Sequence, residues 1–526
     1  MNKVLFAGLF IAMSCNSAQH TQSTTSSNEA QNEVATHKQR VAYGETITEA
    51  DLKKHLYIYA SDEFEGRNTG EPGQKKAVEY IKNYYQDINV AAAQGGEKYF
   101  QKVPMEINGI PSGTITVGDT DYTLGEGIIT FSTIPNQSFD IVYAGYGIET
   151  EDYSDYKDLD VKGKYILFKI GEPKDANGNY ILTGSDQPSV WSNWRETLSQ
   201  RVDIATAKGA EGIIYYDDQY YERSKRRYDY FIQSETGGNM ALKSDEKKLP
   251  YIFVNKAVAT SIFPEIDSNN TAQDLEEQIT LNVKSVTKDV DSENVVAFIK
   301  GKSKPNEYVV ISSHLDHVGV DPSGDVFNGA DDDGSGTVAM LEIAEAFKKA
   351  EADGNGPERS IVFLHVTAEE KGLFGSQYYT DHPIFPLANT VADLNIDMIG
   401  RIDPEREGDR NYIYLIGSDK LSTELHELSE AVNKEYTQIE LDYTYNDEND
   451  PNRFYYRSDH YNFAKHNIPI IFYFNGTHED YHKVTDTPDK INYDLLRNRA
   501  RLVFQTAWEV ANRPDRLVVD KATPQE

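Results

Sequence analysis

The chain has 526 residues, of which 39% are hydrophobic and 11% aromatic. This is the composition of a folded protein, and a guide of roughly 150 residues per domain predicts two or three domains. The 52 lysines and arginines stand against 85 aspartates and glutamates, so the net charge of −33 argues against nucleic acid or an anionic membrane face as a partner.

The first residues, MNKVLFAGLFIAMSC, have the pattern of a signal peptide, in which one lysine precedes an apolar run too short to cross a bilayer. Cys15, the only cysteine, stands where a bacterial lipoprotein signal places the residue that receives lipid. Residues 1–15 are therefore predicted to be a lipoprotein signal; cleavage after Ala18 is the alternative. Residues 16–40 are polar and predict a flexible tether. We expect export to the periplasm or cell envelope, with this lipid as the membrane anchor.

Helical spacing opens the folded part. Thr48 and Asp51 predict a helix start, and Leu52, Leu56 and Tyr59 follow on one helical face. A second amphipathic stretch, AVEYIKNYYQDI, begins at Ala77 after the glycine-rich turn GRNTGEPG. Two helices are thus expected before any strand.

Short strands with turn residues fill the middle of the chain, and alternating strands and helices follow to the C-terminal end. The simplest account is an α/β domain interrupted by a β-rich insertion. The predicted boundaries are 41–106 for the first part of the α/β domain, 107–284 for the insertion, 285–514 for the second part and 515–526 for a tail.

Four apolar strands of the second part end in residues that can bind metal ions. Ligands of α/β sheets bind outside the carboxyl ends of parallel strands, so these ends are expected to meet in one crevice. The residues after the strands are His314, Asp316 and His317; Glu369 and Glu370; Asp397; and Asn475 with His482.

The segment GADDDGSGT, residues 329–337, lies between the first two of these strands and opens a helix, VAMLEIAEAFKKA. The spacing of Val338, Leu341 and Ala344 or Glu345 predicts one apolar face on that helix. The aspartates lie at its start, where the helix dipole favours negative charge.

These strand ends and the helix start supply two imidazoles and three carboxylates. With no cysteine beyond Cys15, the folded part has no thiolate ligands, and a metal would be bound by nitrogen and oxygen. One carboxylate shared between two cations, with one histidine and one further carboxylate on each, is the donor set of a two-metal hydrolase. Two Zn²⁺ ions suit it, with Co²⁺ or Mn²⁺ as alternatives. The predicted metal ligands are His314, Asp332, Glu370, Asp397 and His482.

Two further carboxylates have predicted supporting roles. Glu369 is left without a metal, and a carboxylate beside the reacting water is what a general base requires. Asp316, two residues beyond His314, is expected to hydrogen-bond the far nitrogen of that ring and fix its tautomer.

The sequence resembles the co-catalytic di-zinc aminopeptidases, whose superfamily also holds glutamate carboxypeptidase and glutaminyl cyclase. The matching motifs are HLDH at 314, GADDDGSG at 329, TAEEKGLFGS at 367, LNIDMIGR at 394 and EDYHKVTDT at 479. The resemblance covers about 41–105 and 286–512. It implies a three-layer mixed sheet with helices on both faces, the phosphorylase/hydrolase-like zinc peptidase fold.

The resemblance also implies which residues share a metal. His314 and Asp397 would bind one zinc, Glu370 and His482 the other, and Asp332 would bridge them. Glu369 would be the general base and Asp316 its support.

In some members of the family a tyrosine directly before the last histidine helps to stabilise the oxyanion. That position is Tyr481 in this chain.

The insertion has a resemblance of its own. Part of its sequence is similar to a protease-associated domain, namely the segment IVYAGYGIETEDYSDYKDLDVKGKYILFKIGEP followed by ATAKGAEGIIYYDD. Such domains occur at this place in the superfamily. Their usual role, which is to shape or cover access to the cleft, is what the resemblance implies here.

Other motifs favour simpler interpretations. Residues 478–482 read HEDYH and match the H-E-x-x-H motif of zinc protease helices. Gly476 and Pro488 flank the segment, and it has no apolar stripe. A loop is therefore expected, with His478 beside the cleft. Adjacent residues Ser458, Asp459 and His460 cannot form a serine triad from one loop and are interpreted as cleft lining or helix capping. His317, His365 and His466 are interpreted as strand or surface histidines.

The sequence thus predicts an exported zinc exopeptidase that removes N-terminal residues from peptides. A glutaminyl cyclase or a carboxypeptidase on the same fold, and a non-catalytic peptide-binding ectodomain, are the alternatives. The side-chain preference, the need for a free N-terminus and the oligomeric state have no readable signal in the sequence.

Overall fold

The computed structural model describes residues 38–233, 238–244 and 248–521. The described chain divides into two compact units, one within Met1–Val103 and Ser292–Glu526 and the other within Pro104–Asp291. In this part of the chain we find no helix with the length and apolar character that a membrane crossing requires. The predicted lipid site at Cys15 and the tether up to residue 37 lie outside the described residues.

The regular elements are numbered in chain order. The strands are β1 (Ala91–Ala92), β2 (Phe100–Gly109), β3 (Ser112–Val117), β4 (Thr120–Thr123), β5 (Ile128–Thr130), β6 (Ser138–Tyr143), β7 (Tyr165–Lys169), β8 (Gly212–Tyr216), β9 (Gly238–Leu242), β10 (Tyr251–Val254), β11 (Gln273–Lys284), β12 (Thr287–Ile299), β13 (Lys304–His314), β14 (Arg359–Val366), β15 (Thr390–Ile396), β16 (Tyr412–Ile416), β17 (Glu440–Asp442) and β18 (Ile470–Phe474). The α-helices are α1 (Glu49–Tyr59), α2 (Pro72–Asp87), α3 (Trp194–Ala207), α4 (Asp218–Gln233), α5 (Lys256–Ile262), α6 (Gly336–Ala352), α7 (Phe374–Asp381), α8 (Thr423–Val432), α9 (His460–Ala464) and α10 (Tyr493–Asn512).

The first unit is built around a mixed sheet with the strand order β17-β16-β18-β15-β13-β14-β12. Strands β18, β15, β13 and β14 are parallel to one another, whereas β12 pairs with β14 and β16 pairs with β18 in the antiparallel direction. Parallel strands are buried on both faces because their crossover helices cover both sides. Every residue of β14, β15 and β18 is accordingly buried.

Two hydrophobic cores lie on opposite faces of this sheet. Val309 and Ile311 of β13 belong to the core that includes α1, α2, α6 and α10. The alternate residue Val310 belongs to a second core with Tyr379 of α7 and Phe463 of α9. Because successive strand residues point to opposite faces, this division places helices on both sides of the sheet. The predicted three-layer α/β architecture is confirmed.

Helix α1 begins as the sequence predicts, since the Thr48 side chain accepts a hydrogen bond from the Asp51 N–H at 3.2 Å. Helix α2 begins at Pro72, five residues before the predicted start at Ala77. Proline is favoured in the first turn of a helix because its missing N–H is not needed there. The last residues of the predicted turn therefore belong to the helix.

Helix α6 differs from its prediction. The sequence indicated one apolar face, but the helix is buried nearly all round, and Glu342 is among its buried residues. It lies in the same core as α1, α10 and the sheet strands, and small residues on its other sides allow this close packing.

The second unit contains a separate sheet with the strand order β4-β3-β11-β6-β7-β8-β10-β5. Strands β6, β7, β8 and β10 are parallel, and the outer pairs are antiparallel. Helix α3 leads into β8 as the sequence indicated. Helix α4, in contrast, was not foreseen. The resemblance of this unit to a protease-associated domain stays a prediction.

Candidate metal centre

The predicted metal ligands meet at one edge of the parallel strands. His314 is the last residue of β13, Asp397 directly follows β15, and Glu370 lies in the turn after β14. His482 lies in the loop after β18, and Asp332 lies in the turn that precedes α6. Strands that run in the same direction end at the same edge, and this brings together residues up to 168 positions apart, from His314 to His482.

The five side chains form two groups that share one aspartate. Nε2 of His314 lies 3.1 Å from Oδ1 of Asp332 and 3.5 Å from Oδ1 of Asp397. Nε2 of His482 lies 3.0 Å from Oδ2 of Asp332 and 3.1 Å from Oε2 of Glu370. In each group the candidate donor atoms lie within 4.8 Å of one another. Asp332 thus presents one carboxylate oxygen to each group.

Two observations show that these groups fit divalent cations. Nε2 of His314, Nε2 of His482 and Oδ2 of Asp332 are buried, and among the described residues none has a partner in hydrogen-bonding geometry. Buried polar atoms are normally satisfied, so atoms left over in one place indicate a missing binding partner. Donors at the usual 2.0–2.1 Å from a tetrahedral zinc lie roughly 3.3 Å from one another, which is close to the spacing found here.

The far side of the His314 ring is held by the backbone. Its Nδ1 lies 3.0 Å from the carbonyl oxygen of Asp316, which can only accept, so Nδ1 carries the proton and Nε2 offers its lone pair to a cation. The sequence predicted that the Asp316 carboxylate makes this contact. Oδ1 of Asp316 is 3.9 Å from Nδ1 of His314, so the backbone carbonyl of Asp316, and not its carboxylate, is the hydrogen-bond partner of the ring.

The Asp316 carboxylate supports the neighbouring base instead. Its Oδ1 accepts the backbone N–H of Glu369 at 3.1 Å, and its Oδ2 accepts the hydroxyl of Thr69 at 2.7 Å. Burial raises the pKa of the Glu369 carboxyl well above its ordinary value; His314 opposes this shift, and the charges of Asp397 and Glu370 add to it. Asp316 therefore fixes the backbone from which Glu369 reaches the site.

The two loops that carry Asp332 and Asp397 are tied together by side chains beside the ligands. The successive N–H groups of residues 398–400 donate to Asp333, Ser335 and Asp331 at 3.0, 3.0 and 2.6 Å. In the triplet 331–333 the middle aspartate is thus free for the metal groups, while its neighbours hold the other loop.

A further aspartate, Asp486, joins the loop of His482 to the same turn. Its Oδ2 accepts the N–H groups of Asp331 and Asp332 at 2.9 and 3.3 Å. Sequence reasoning did not single out this residue. The only signal was its place in the motif EDYHKVTDT, four residues after the ligand.

The HEDYH segment is a loop, as expected, and not a helix. His478 is outside both ligand groups, and its Nε2 lies 3.2 Å from Oδ2 of Asp331. Tyr481 stacks on the His482 ring with a centroid distance of 4.0 Å. Burial and the charges of Asp332 and Glu370 raise the pKa of the Tyr481 phenol, which therefore keeps its proton.

The residues Ser458, Asp459 and His460 support the site from behind. The Ser458 hydroxyl donates to Oδ2 of Asp397 at 2.6 Å. Asp459 occupies the position before α9, and Nε2 of His460 lies 2.8 Å from the carbonyl oxygen of Tyr455. Within the described residues the Asp459 side chain makes no capping hydrogen bond, so the interpretation as capping residues is not borne out, and Ser458 instead supports a predicted metal ligand.

The interpretation of His317 as a strand or surface histidine was wrong. It lies in the loop after β13 and is fully buried, and its Nδ1 is 2.9 Å from Oε1 of Glu370. His365 is a buried residue of β14, and His466 is exposed.

A pocket opens beside the metal groups. Asp332, Glu369, Asp397 and Tyr481 form its polar wall. The remaining wall is largely apolar and is formed by Met398, Phe454, Arg457, Phe472, Phe474 and Thr477. An apolar side chain next to the reacting atoms would be desolvated in this place.

Comparison with known proteins agrees with this site. Residues 294–507 match the model of peptidase family M28. The chain is 30% identical to aminopeptidase YwaD of Bacillus subtilis over 217 residues, which are 38% of this chain and 42% of that protein. It is 29% identical to leucine aminopeptidase 1 of Uncinocarpus reesii over 225 residues, which are 41% of this chain and 54% of the relative. The chain thus spans about half the length of these relatives.

Among solved structures, an aminopeptidase from Aneurinibacillus sp. strain AM-1 aligns with a TM-score of 0.49 and 20% identity, over 91% of this chain and 97% of that one. The zinc aminopeptidase BSAP of Bacillus subtilis aligns with a TM-score of 0.44 and 19% identity, over 89% and 97%. The matched family model covers all five ligand positions. Residues 294–507, the part of the chain that holds the site, are therefore similar to peptidase family M28.

Proposed function

We propose that this chain is a zinc-dependent aminopeptidase that hydrolyses the N-terminal residue from peptides. The observation that carries the proposal is the pair of nitrogen and oxygen donor groups that share Asp332 and have Glu369 beside them. Two zinc ions bound there would supply Lewis-acid chemistry, which polarises the peptide carbonyl and makes water acidic enough to react.

The side chains of the site then have distinct roles. Glu369 takes the proton of the attacking water and delivers it to the leaving amine. The Tyr481 phenol donates a hydrogen bond to the oxygen on which negative charge develops. Thr69 and Asp316 keep the Glu369 backbone in place through the hydrogen bonds described above.

The exopeptidase assignment rests on the pocket and on the relatives. One wall of the pocket is largely apolar, and we propose that it receives an apolar side chain of the residue that is cleaved. The two relatives named above are called an aminopeptidase and a leucine aminopeptidase, which favours an N-terminal residue over a C-terminal one.

We also propose that the protein is exported and anchored by lipid at Cys15. The support is the apolar run and the cysteine of residues 1–15. Metabolic labelling with radioactive palmitate should label the wild type and not Cys15→Ser. Equal labelling of both chains would contradict the anchor.

The activity is tested with aminoacyl-arylamides that have free or blocked N-termini. We expect hydrolysis of the free substrates, fastest with leucine or phenylalanine. Glu369→Gln should reduce kcat about 10²- to 10⁴-fold without loss of bound metal. Glu407→Gln, an exposed carboxylate, is the matched control. Equal rates for Glu369→Gln and the wild type would refute the proposal, and cleavage of blocked substrates alone would favour a carboxypeptidase.

A further inference from the structure

A third histidine at the metal groups has no role in the chemistry described so far. His317 is fully buried, three residues beyond the ligand His314, and its Nδ1 lies 2.9 Å from Oε1 of Glu370 and 3.7 Å from Oδ2 of Asp332. By distance alone it is a possible metal ligand, because its nitrogen lies within the group formed with Glu370 and His482.

The geometry of the contact separates His317 from the two ligand histidines. Nε2 of His314 and Nε2 of His482 face carboxylate oxygens at 3.0–3.5 Å, yet among the described residues neither has a partner in hydrogen-bonding geometry. The contact between Nδ1 of His317 and Glu370 satisfies that geometry. A ring nitrogen that already makes a direct hydrogen bond to the carboxylate leaves no place for a cation between them.

The tautomer of His317 leads to the same conclusion. Its Nε2 is buried and without a partner among the residues described. If Nδ1 bound a cation, the proton would sit on Nε2, where it would have no acceptor among the described residues. Histidines that bind metals almost always donate their second N–H to a neighbour, as His314 does to the Asp316 carbonyl. With the proton on Nδ1, the ring donates to Glu370.

The ring is also held in place by the backbone around it. A Cβ atom at Gly329 would lie 2.5 Å from Cδ2 and 2.6 Å from Cγ of His317. Gly329 has φ +53°, in the left-handed region, and directly precedes the turn of Asp332. The His317 N–H donates to the carbonyl oxygen of Arg67 at 3.3 Å. The imidazole therefore has little freedom to turn away from Glu370.

We propose that His317 is a positioning residue that donates its Nδ1–H to Oε1 of Glu370. The carboxylate then directs its other oxygen, Oε2, toward the cation that it shares with His482. The distance of 3.1 Å between Oε2 and Nε2 of His482 agrees with this division of the two oxygens. The inference rests on the proposed function, because it assumes that cations occupy the two donor groups.

Zinc titration of chelator-treated protein tests the inference in three chains: wild type, His317→Leu and His317→Asn. The asparagine amide nitrogen stands close to the position of Nδ1 and keeps the donor, whereas leucine removes it. Removing a partner of a metal ligand typically weakens binding 10- to 100-fold. We expect His317→Leu to bind one of its two zinc ions about 10- to 100-fold more weakly, and His317→Asn to stay within about threefold of the wild type. Circular dichroism of the zinc-free chains checks that all three are folded.

The outcomes separate the possible failures. Unchanged affinity of both sites in His317→Leu would overturn the positioning role. A fall from two bound ions to one at saturation in both variants would show that His317 is a ligand, which also overturns it. If the wild type binds no zinc, the proposed function itself fails. The visible spectrum of the cobalt-loaded chains gives a second readout, since it should change at one site in His317→Leu and remain as in the wild type in His317→Asn.

Discussion

Removal of one buried hydroxyl should show whether the support beneath the general base matters. Thr69 is 2% exposed, and its hydroxyl donates to Oδ2 of Asp316 at 2.7 Å. The other oxygen of that carboxylate holds the N–H of Glu369. Thr69→Val keeps the shape of the side chain and removes the donor. Thr69→Ser keeps the donor and is the matched control.

The size of the effect follows from the bond that is lost. A hydrogen bond to a charged group contributes about 1.5–3 kcal/mol to the free energy of unfolding. At roughly 2 °C for each kcal/mol in a large domain, Thr69→Val should lower the melting temperature by about 3–6 °C. A shift of the Glu369 carboxylate by less than 1 Å should lower kcat about 10- to 100-fold. KM should change little, because Thr69 is not part of the pocket wall.

The assay is differential scanning calorimetry together with steady-state hydrolysis of a leucine arylamide. Thr69→Ser is expected to behave like the wild type in both measurements. The reasoning is refuted if Thr69→Val melts within about 1 °C of Thr69→Ser and has the same kcat. A lower melting temperature with unchanged kcat would show that Asp316 stabilises the fold without orienting Glu369.

Three further predictions concern the metal groups and the core. Dialysis against a strong chelator should lower the melting temperature of the unit that holds the site, because a ligand at about 1,000 times its Kd stabilises the folded state by roughly 4 kcal/mol. Added zinc should restore the melting temperature. An unchanged calorimetric transition after dialysis would contradict this prediction. Burial lowers the pKa of His365 to about 3, so the unfolded chain binds a proton between pH 6.5 and 3 that the folded chain does not. His365 should therefore contribute a decrease of roughly 1.4 kcal/mol per pH unit to the free energy of unfolding as the pH falls through this range. Urea titrations of His365→Gln should show a shallower pH dependence than the wild type, and equal slopes would be evidence against this contribution. A Cβ at Gly375 would lie 2.1 Å from the backbone carbonyl oxygen of Thr367. Gly375→Ala should therefore lower the free energy of unfolding by about 1–3 kcal/mol in the same urea titration. A variant as stable as the wild type would show that the backbone at Thr367 moves to make room.

The convergence of the predicted metal ligands could be foreseen from the sequence because two simple rules act together. Apolar strands that alternate with helices make a parallel sheet, and the polar residues at their carboxyl ends must meet. The types of side chain then limit the chemistry, since His314 and His482 with three carboxylates and no cysteine leave few alternatives. These rules bring the residues together, whereas the division of the ligands between two metals, with Asp332 as the bridge, is what the family resemblance implies.

The supporting contacts could not be predicted, because they depend on where side chains point. The choice between the carbonyl and the carboxylate of Asp316 as the partner of His314 depends on torsion angles that have no sequence pattern. Thr69 and Asp316 are 247 positions apart, and a threonine in a glycine-rich turn gives no sign of such a partner. His317 was misjudged because the sequence near a predicted ligand does not show whether a histidine side chain faces the site or the solvent.

The degree of burial of α6 was missed for a related reason. Spacing of large apolar residues marks one face of a helix, but alanine, glycine and threonine on the other faces are equally consistent with contact or exposure. Only the packing of α1 and α10 around the helix decides between them.

The central claim is that two cations share the carboxylate of Asp332. Inductively coupled plasma mass spectrometry of purified protein, loaded with zinc and passed through a desalting column, tests it most directly. The account predicts two zinc ions per wild-type chain, one in Asp397→Ala, whose side chain belongs to one group, and fewer than one in Asp332→Ala, whose side chain belongs to both. Two ions retained by Asp332→Ala, or one ion or none in the wild type, would contradict it.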